Sequence, residues 1–480
     1  MNFSHYDVCM FSASNRSVVD RRSWLKALTL GGAASVFSSC AEKKPAAQST
    51  PNNKVRGVIF MVSDGMSPGV LTMAQAFSQQ IRNSGTTWWK LLNERSAARG
   101  LMDTQSANSM VTDSAAASSA WGSGHRVNNG MINVTPDGKE LEPIAAVLGK
   151  KGVRCGLVTT AKITHATPAG FATSVRDRDD EESIALQYLN RVEILLGGGV
   201  EYFDPASRKD RKDLFSEYRT AGYEVIRNRE QLQSVKGKKL LGNFHAGHFP
   251  YNIDREQNPD LMRDVPTLEE MSRAAVSRFL EGNQNFLLQI EGARIDHAAH
   301  MNDIGALLRE QLAFDDALAA VWGMTAGHDD ILIVVTSDHG NANPGLNGLG
   351  STYSDSNKAF QHISGIKSSH DKIFHDWESH PGSDLGKLIQ QQLAITLQTD
   401  ELDALQNILT NGKVNEWNDL LAKPEGLLGQ FVGNHTGIGW TGTSHTSDPT
   451  LVSAVGPQSE RFSGMVINSD VFGHIVELLG

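Results

Sequence analysis

A three-layer α/β sandwich, with a largely parallel central sheet flanked by helices, is the fold this sequence predicts, and three observations predict it. Uninterrupted apolar runs at Val58–Val62 and Ile331–Val335, and the run Phe286–Ile290 broken only by Gln289, have the pattern of strands buried on both faces. Each run ends near a carboxylate or a histidine: Asp64 after Val58–Val62, Glu291 after Phe286–Ile290, Asp338 and His339 after Ile331–Val335. Open α/β sheets place their ligands just outside the carboxyl ends of their strands. Between the runs, helical periodicity at Leu141–Lys150, Glu181–Leu189, Thr267–Glu281 and Ile304–Trp322 alternates with strand-like segments at Val153–Thr159 and Val192–Leu196.

The chain has 480 residues, 40% of them hydrophobic and 20% charged, enough to bury a large core. Its net charge of −10 argues against nucleic acid as a binding partner and offers an anionic ligand no long-range attraction, so any positive field must be local. Arg21-Arg22-Ser-Trp24-Leu25-Lys26 resembles a twin-arginine export signal, and the apolar stretch Leu28–Phe37 behind it is too short to span a bilayer. Phe37-Ser-Ser-Cys40 resembles a lipoprotein cleavage box, which makes Cys40 the expected lipid-bearing residue and the location periplasmic or anchored to a membrane surface. Residues 1–40 are thus expected to be a signal, 41–54 a flexible tether, and 55–480 one large domain. Of the three cysteines only Cys155 lies well inside that domain, so no internal disulfide is expected; its strand-like setting points to packing.

Between Asn341 and Gly439 the strand–helix rhythm breaks down. A Gly-rich loop (Pro344–Gly350), a polar run (His362–His380) and a helix-like stretch (Leu385–Leu409) read as an insertion, residues 341–439, on the rim of the site. His370, His375 and His380 recur at a spacing of five that suits neither a helix face nor a strand face, and are expected to be solvated.

In Val111–Trp121 a hydroxyl, Ser114, directly follows a carboxylate, Asp113, at the start of a helix of small residues. Alone, the pair reads as an N-cap. A helix N-terminus also attracts anions, and a serine there becomes a nucleophile if a base or a metal ion lowers its pKa. The strand ends supply metal-type ligands. Asp296 and His300, after Glu291, are four apart and share one face of a helical turn, and His445 stands in a polar turn near the C-terminus. Carboxylates and histidines at three strand ends on one predicted edge point to metal binding, because charged groups are seldom buried unless paired or metal-bound.

Taken in order, Asp64-Gly, Asp113-Ser114-Ala, His165-Ala-Thr167-Pro-Ala, Arg178, Glu291-Gly with Asp296 and His300, Asp338-His339 and His445-Thr resemble alkaline phosphatases over about residues 55–475. The resemblance implies two zinc sites, one of Asp296, His300 and His445, the other of Asp64, Asp338 and His339 facing Ser114. It implies a third site, usually magnesium, made of Asp64, Thr167 and Glu291. Mixed N/O donors suit zinc and an all-oxygen set suits magnesium. Arg178 is implied to grip two phosphate oxygens, with Arg176 as the fallback two residues earlier. His165 and His297 stand where some members carry Asp and Lys, and with Asp113 they would surround the ligands without binding metal. Asn341 receives no role. The implied reaction is hydrolysis of small phosphate monoesters through a phosphoserine, in a homodimer to which a crown-like insertion contributes. A phosphodiesterase or sulfatase of the same fold is the nearest alternative. Against it stand the serine, where those enzymes use threonine or a cysteine-derived group, and Arg178, which needs two free oxygens. A phosphate- or metal-binding lipoprotein without turnover is a third possibility, opposed by an intact nucleophile beside the ligands.

Overall fold

Apolar side chains that alternate between two faces leave a strand no solvent face, and β1 (Gly57–Ser63) is accordingly buried along its whole length. In the computed structural model, which describes residues 54–380, 382–412, 418 and 420–480, it lies at the centre of a ten-stranded sheet. The signal-like stretch 1–40 with Cys40, and the tether up to residue 53, lie outside the described residues. The other strands in chain order are β2 (Ala98–Met102), β3 (Arg154–Lys162), β4 (Ile194–Gly198), β5 (Glu224–Ile226), β6 (Leu240–Asn243), β7 (Phe286–Gly292), β8 (Ile331–Thr336), β9 (Gly340–Asn341), β10 (Gly345–Leu346), β11 (Ile438–Gly439), β12 (His445–Thr446), β13 (Thr450–Val455) and β14 (Gly464–Val466). The main sheet runs β14-β2-β13-β8-β1-β7-β3-β4-β6-β5. Only β13 runs against the rest. All three apolar runs are therefore neighbouring parallel strands, as their patterning predicts.

Alternation sorts the central side chains into two cores. Ile59, Met61, Leu288, Ile290, Ile333 and Val335 belong to one face, and Val58, Phe60, Val62, Leu287, Leu332 and Val334 to the other. Helices cover both, the longest being Ile304–Met324 and Pro68–Arg82. The helix Ser114–Ser123 is buried all round, which its composition of alanine, serine and glycine, with the single large residue Trp121, permits. It lies close against the helix Ala166–Ala172: a Cβ on Gly122 would sit 1.9 Å from the Gly170 carbonyl oxygen, so glycine there sets the distance between the Ser114 and Thr167 segments.

Two expectations for residues 341–439 change. Leu385–Leu409 is not one helix but two, Leu385–Leu393 and Thr399–Asn411, because Ala394 takes a left-handed conformation that ends the first. His370 is not solvated. It is fully buried at the first position of the helix His370–Ser379, where its backbone N–H donates to Asp303 Oδ2 at 2.7 Å and its ring Nδ1 lies 3.1 Å from the Met301 carbonyl. Successive steps of five turn the helix by about 140°, so His375 and His380 face solvent while His370 faces the core. The segment's ends are closed by two small ladders, β9 with β12 and β10 with β11. Its Ile363, Ile373, Ile389 and Leu428 join the core on the Ile59 face.

Candidate metal centre

The carboxyl ends of β1, β7 and β8 bring Asp64, Glu291 and Asp338 together with the helix Arg294–His300 and with His445 on β12. Asp64 follows β1 at a tight turn. Gly65 has φ +65°, and a Cβ there would lie 2.3 Å from Asp296 Oδ1, so only glycine lets the β1 tip meet the Asp296 helix. The Gly65 N–H donates to Asp338 Oδ1 at 3.0 Å, which locks the β1 and β8 tips together.

Three groups of ligand-type atoms form here: Asp296 with His300 and His445; Asp64 with Asp338 and His339; and Asp64 with His165 and Glu291. The first two contain the residues expected of the zinc sites. The third brings in His165, expected only to surround the ligands, whose Nδ1 lies 3.8 Å from Glu291 Oε1. Thr167, expected in that site, stands two residues after His165 in the helix Ala166–Ala172; it is fully buried and its hydroxyl has no hydrogen-bond partner.

The donor chemistry fits cations. Asp64, Glu291 and Asp338 are 0–1% exposed and Asp296 4%. Both oxygens of Asp64, Oδ2 of Asp338, Oε1 of Glu291, Oγ1 of Thr167 and Nδ1 of His165 are buried without a hydrogen-bond partner. Buried polar groups in folded proteins are satisfied, and buried charges are paired or coordinated. His300 and His445 make the same point. Each Nδ1 faces a backbone carbonyl, Thr443 O at 2.7 Å and Thr112 O at 2.8 Å, and so carries the ring proton. Their Nε2 atoms then face each other at 3.0 Å with lone pairs, an arrangement that a cation between them and Asp296 resolves. Without one, burial and the carboxylates of Asp338, Asp296 and Glu291 push Asp64 well above the usual carboxylate range. Burial, reinforced by His339, holds His445 down at about 4, so its ring is neutral and its lone pair free at neutral pH.

Ser114 Oγ lies 3.1 Å from His339 Nε2. A serine–histidine–aspartate relay would put the carboxylate on the opposite ring nitrogen. Here Asp338 Oδ2 meets the same Nε2 at 3.1 Å, and Nδ1 faces the Gly340 carbonyl at 3.3 Å. Serine, histidine and carboxylates converging on one point make a coordination cluster. Asp113 caps the serine's helix through Ala116 N at 2.9 Å, and its other oxygen accepts from Gly130 N at 2.9 Å and from Arg178 Nη1 at 3.1 Å. Arg178 Nη2 lies 3.3 Å from His165 Nε2, so the guanidinium stands beside the serine and the third group. Arg176 is exposed and bonds the Gly138 carbonyl at 3.2 Å, turned away from the site.

The family of alkaline phosphatases matches residues 55–480. The chain belongs to the alkaline phosphatase family. Alkaline phosphatase 3 of Bacillus subtilis is 30% identical over 461 residues, covering 92% of both chains. Streptomycin-6-phosphate phosphatase of Streptomyces griseus is 27% identical, over 97% of this chain and 99% of its own. Among solved structures, the Thermus thermophilus alkaline phosphatase superposes with a TM-score of 0.84 at 33% identity, covering 90% of this chain and 93% of its own. The cold-active enzyme of Shewanella sp. gives 0.73 at 28%, covering 88% and 100%. The protein is therefore an enzyme, a metal-dependent phosphatase built on the alkaline phosphatase fold.

Three residues of this centre escape a reading of the sequence. Asn341 Nδ2 donates to Asp296 Oδ1 at 2.7 Å and orients that carboxylate. Thr159 Oγ1 donates to Glu291 Oε2 at 2.5 Å. His248 lies edge-on to His297 and His165, with ring centroids 4.5 and 5.6 Å apart. Burial pushes both His248 and His297 down, the former to about 2, so these two rings are neutral; Arg294 Nη1 sits 2.7 Å from His297 Nδ1, its donor taken up by the unprotonated nitrogen. The position of Asn341 just past Asp338-His339 was the one available signal. Nothing in the local sequence marks His248.

Proposed function

We propose that this enzyme hydrolyses phosphate monoesters through a phosphoserine on Ser114, with two zinc ions on the Asp296–His300–His445 and Asp64–Asp338–His339 sets and a magnesium ion held by Asp64, Thr167 and Glu291. The observation that carries the reading is the convergence of Ser114 Oγ and the Asp338 carboxylate on one nitrogen, His339 Nε2, at 3.1 Å each. When bound, the metal ions supply positive charge for the attacking and leaving oxygens and lower the pKa of the serine hydroxyl.

The chain's own residues do the rest. The helix N-terminus at Ser114 presents backbone N–H groups to an anion, and Asp113 fixes the first turn as its cap. Arg178, held by Asp113, offers a fork to two non-bridging phosphate oxygens; a monoester has a third left for the metal ions, whereas a diester has only two in all. Ser114 Oγ releases its proton to solvent and attacks phosphorus; the Oγ–P bond forms as the bond to the alcohol oxygen breaks, and the alcohol leaves with a proton taken back from water. Water then attacks phosphorus from the opposite side, the Oγ–P bond breaks, and serine regains its proton as phosphate departs. Two in-line displacements retain configuration at phosphorus.

Export by the twin-arginine-like signal, a lipid anchor at Cys40 and a homodimeric state belong to the same proposal and rest on the sequence features above. Mass spectrometry of acid-quenched turnover should find phosphate on the Ser114 peptide. Ser114→Ala should lose that label and most of the activity while keeping its zinc, since all eight expected metal-binding residues remain. A label that persists in the variant, or inversion at phosphorus in the wild type, would overturn the mechanism. Rates on an aryl monoester, a diester and a sulfate ester separate this reading from the phosphodiesterase and sulfatase alternatives.

A further inference from the structure

The turn that carries Arg178 runs straight into the helix Glu181–Gln187, and that helix is clamped onto the exit of β3. Three consecutive residues of the exit are held. Glu181 Oε1 accepts from Lys162 Nζ, and its Oε2 accepts from the Thr164 hydroxyl. Tyr188, which follows the helix, donates its own hydroxyl to the Ile163 carbonyl at 2.8 Å. Glu181 and Thr164 are buried, and Lys162 Nζ lies 5.1 Å from the centre of the Tyr202 ring. A largely buried ion pair adds little net stability over apolar packing of the same volume, whereas it fixes direction and distance.

What the clamp fixes is a circuit that closes on Arg178. His165 follows Thr164, and its Nε2 lies 3.3 Å from Arg178 Nη2; Glu181 follows Arg178 by three residues. From the other side Arg178 is held through its backbone N–H on the Gly130 carbonyl at 2.8 Å and through Nη1 on Asp113 at 3.1 Å. Each terminal nitrogen of a guanidinium carries two N–H groups, so each can spend one on its anchor and keep one for an anion. The fork is aimed by its two anchors, and one of them, His165, stands on the segment that Glu181 grips.

We propose that Glu181 is a positioning residue, which by holding Lys162 and Thr164 sets the Arg178 fork where the phosphate oxygens need it. The proposal rests on the monoesterase reading above, in which Arg178 grips phosphate. Electrostatics alone gives the opposite sign: removing a negative charge beside an anion site and baring the Lys162 ammonium strengthens phosphate binding. Loss of position weakens it, since misplacing a substrate-holding group by about 1 Å costs up to about a hundredfold. Calorimetric binding of inorganic phosphate to the zinc- and magnesium-loaded enzyme reads the sign. Glu181→Gln and Thr164→Val should each weaken binding about tenfold with zinc content unchanged. Thr164→Ser, which keeps the hydroxyl, should stay within about twofold of wild type, and so should Asp179→Asn, an exposed carboxylate of the same turn. In an Arg178→Ala background Glu181→Gln should change binding less than about twofold, because the group it positions is gone. Should Glu181→Gln fail to fold, Thr164→Val and Thr164→Ser carry the same test. Unchanged or tighter binding in the Glu181 and Thr164→Val variants, with Arg178→Ala weakened, would overturn the proposal alone. Losses that multiply in the double variant would overturn it too, since Glu181 would then act by another route. An Arg178→Ala enzyme that binds phosphate like wild type would strike the reading of Arg178 itself, and the proposal with it.

Discussion

Replacing Asp64 by Asn should stabilise the enzyme without metal and destabilise it with metal. Asp64 is fully buried, neither oxygen has a hydrogen-bond partner, and Asp338, Asp296 and Glu291 all raise the cost of its charge. Leaving a buried charge uncompensated costs roughly 3–5 kcal/mol, and a ligand at a thousand times its Kd stabilises by a similar ~4 kcal/mol. Unfolding residues 55–480 releases about 0.9 kcal/mol per kelvin of entropy at about 2 cal/mol/K per residue, so chelation should lower the wild-type Tm by about 3–6 °C. Asn keeps the volume, removes the charge and gains a donor for Glu291 Oε1, which has no hydrogen-bond partner. The chelated variant should therefore melt above the chelated wild type, by about 2–4 °C. In saturating zinc and magnesium the order should reverse, because Asp64 is the one residue shared by two of the three ligand groups. Scanning calorimetry of both proteins, chelated and metal-saturated at one neutral pH, reads the four values. A chelated variant that melts at or below chelated wild type would refute the view that metal charge compensates this carboxylate cluster.

Arg178→Ala should weaken inhibition by inorganic phosphate by about 10–100-fold, the worth of hydrogen bonds to a charged group, while the exposed Arg176→Ala should change it less than about twofold. Asn341→Ala removes the 2.7 Å bond to Asp296 Oδ1 and should lower zinc affinity about 10–100-fold in competition with a chelating dye. Glu310, buried in the helix Ile304–Met324, is pushed up to about 7 by burial, against hydrogen bonds from Asn252. A raised carboxyl pKa stabilises fully below its unfolded value and loses that contribution as pH rises through the folded one. Stability should thus fall between about pH 4.5 and 7 by at most about 3 kcal/mol, and Glu310→Gln should flatten the profile in denaturant melts.

The strands and ligands legible in the sequence are those whose information is local. A double-faced apolar run announces a central parallel strand, and the carboxylate at its tip comes with it; Asp64, Glu291 and Asp338 need no long-range knowledge. Asp296 and His300 share a helical turn for the same reason. The shorter strands towards the two ends of the sheet, β2, β5, β13 and β14, carry no such run, and the reversal of β13 leaves no mark on its residues. His370 misleads because spacing reports only its own helix, while its burial depends on Asp303 receiving that helix's first N–H. Arg178 and Arg176 are equivalent in a charged turn until Asp113 selects one of them.

His445 exposes the limit most clearly. Its side chain reaches the centre because β12 pairs with β9 in one register, His445 opposite Asn341 and Thr446 opposite Gly340. A slip of one residue would turn the ring to the opposite face, since side chains alternate along a strand. About a hundred residues of insertion separate the two strands and must return within that tolerance. The same pairing places Asn341 against Asp296 and His445 against His339, the rings stacked with centroids 3.7 Å apart. A two-residue ladder thus fixes one ligand and the residue that orients another. Ile363, Ile373 and Leu428 of the insertion pack into the same apolar core as Ile59, Ile290 and Ile333, so the segment that must bring β12 back to β9 is anchored to the strands whose tips carry the ligands.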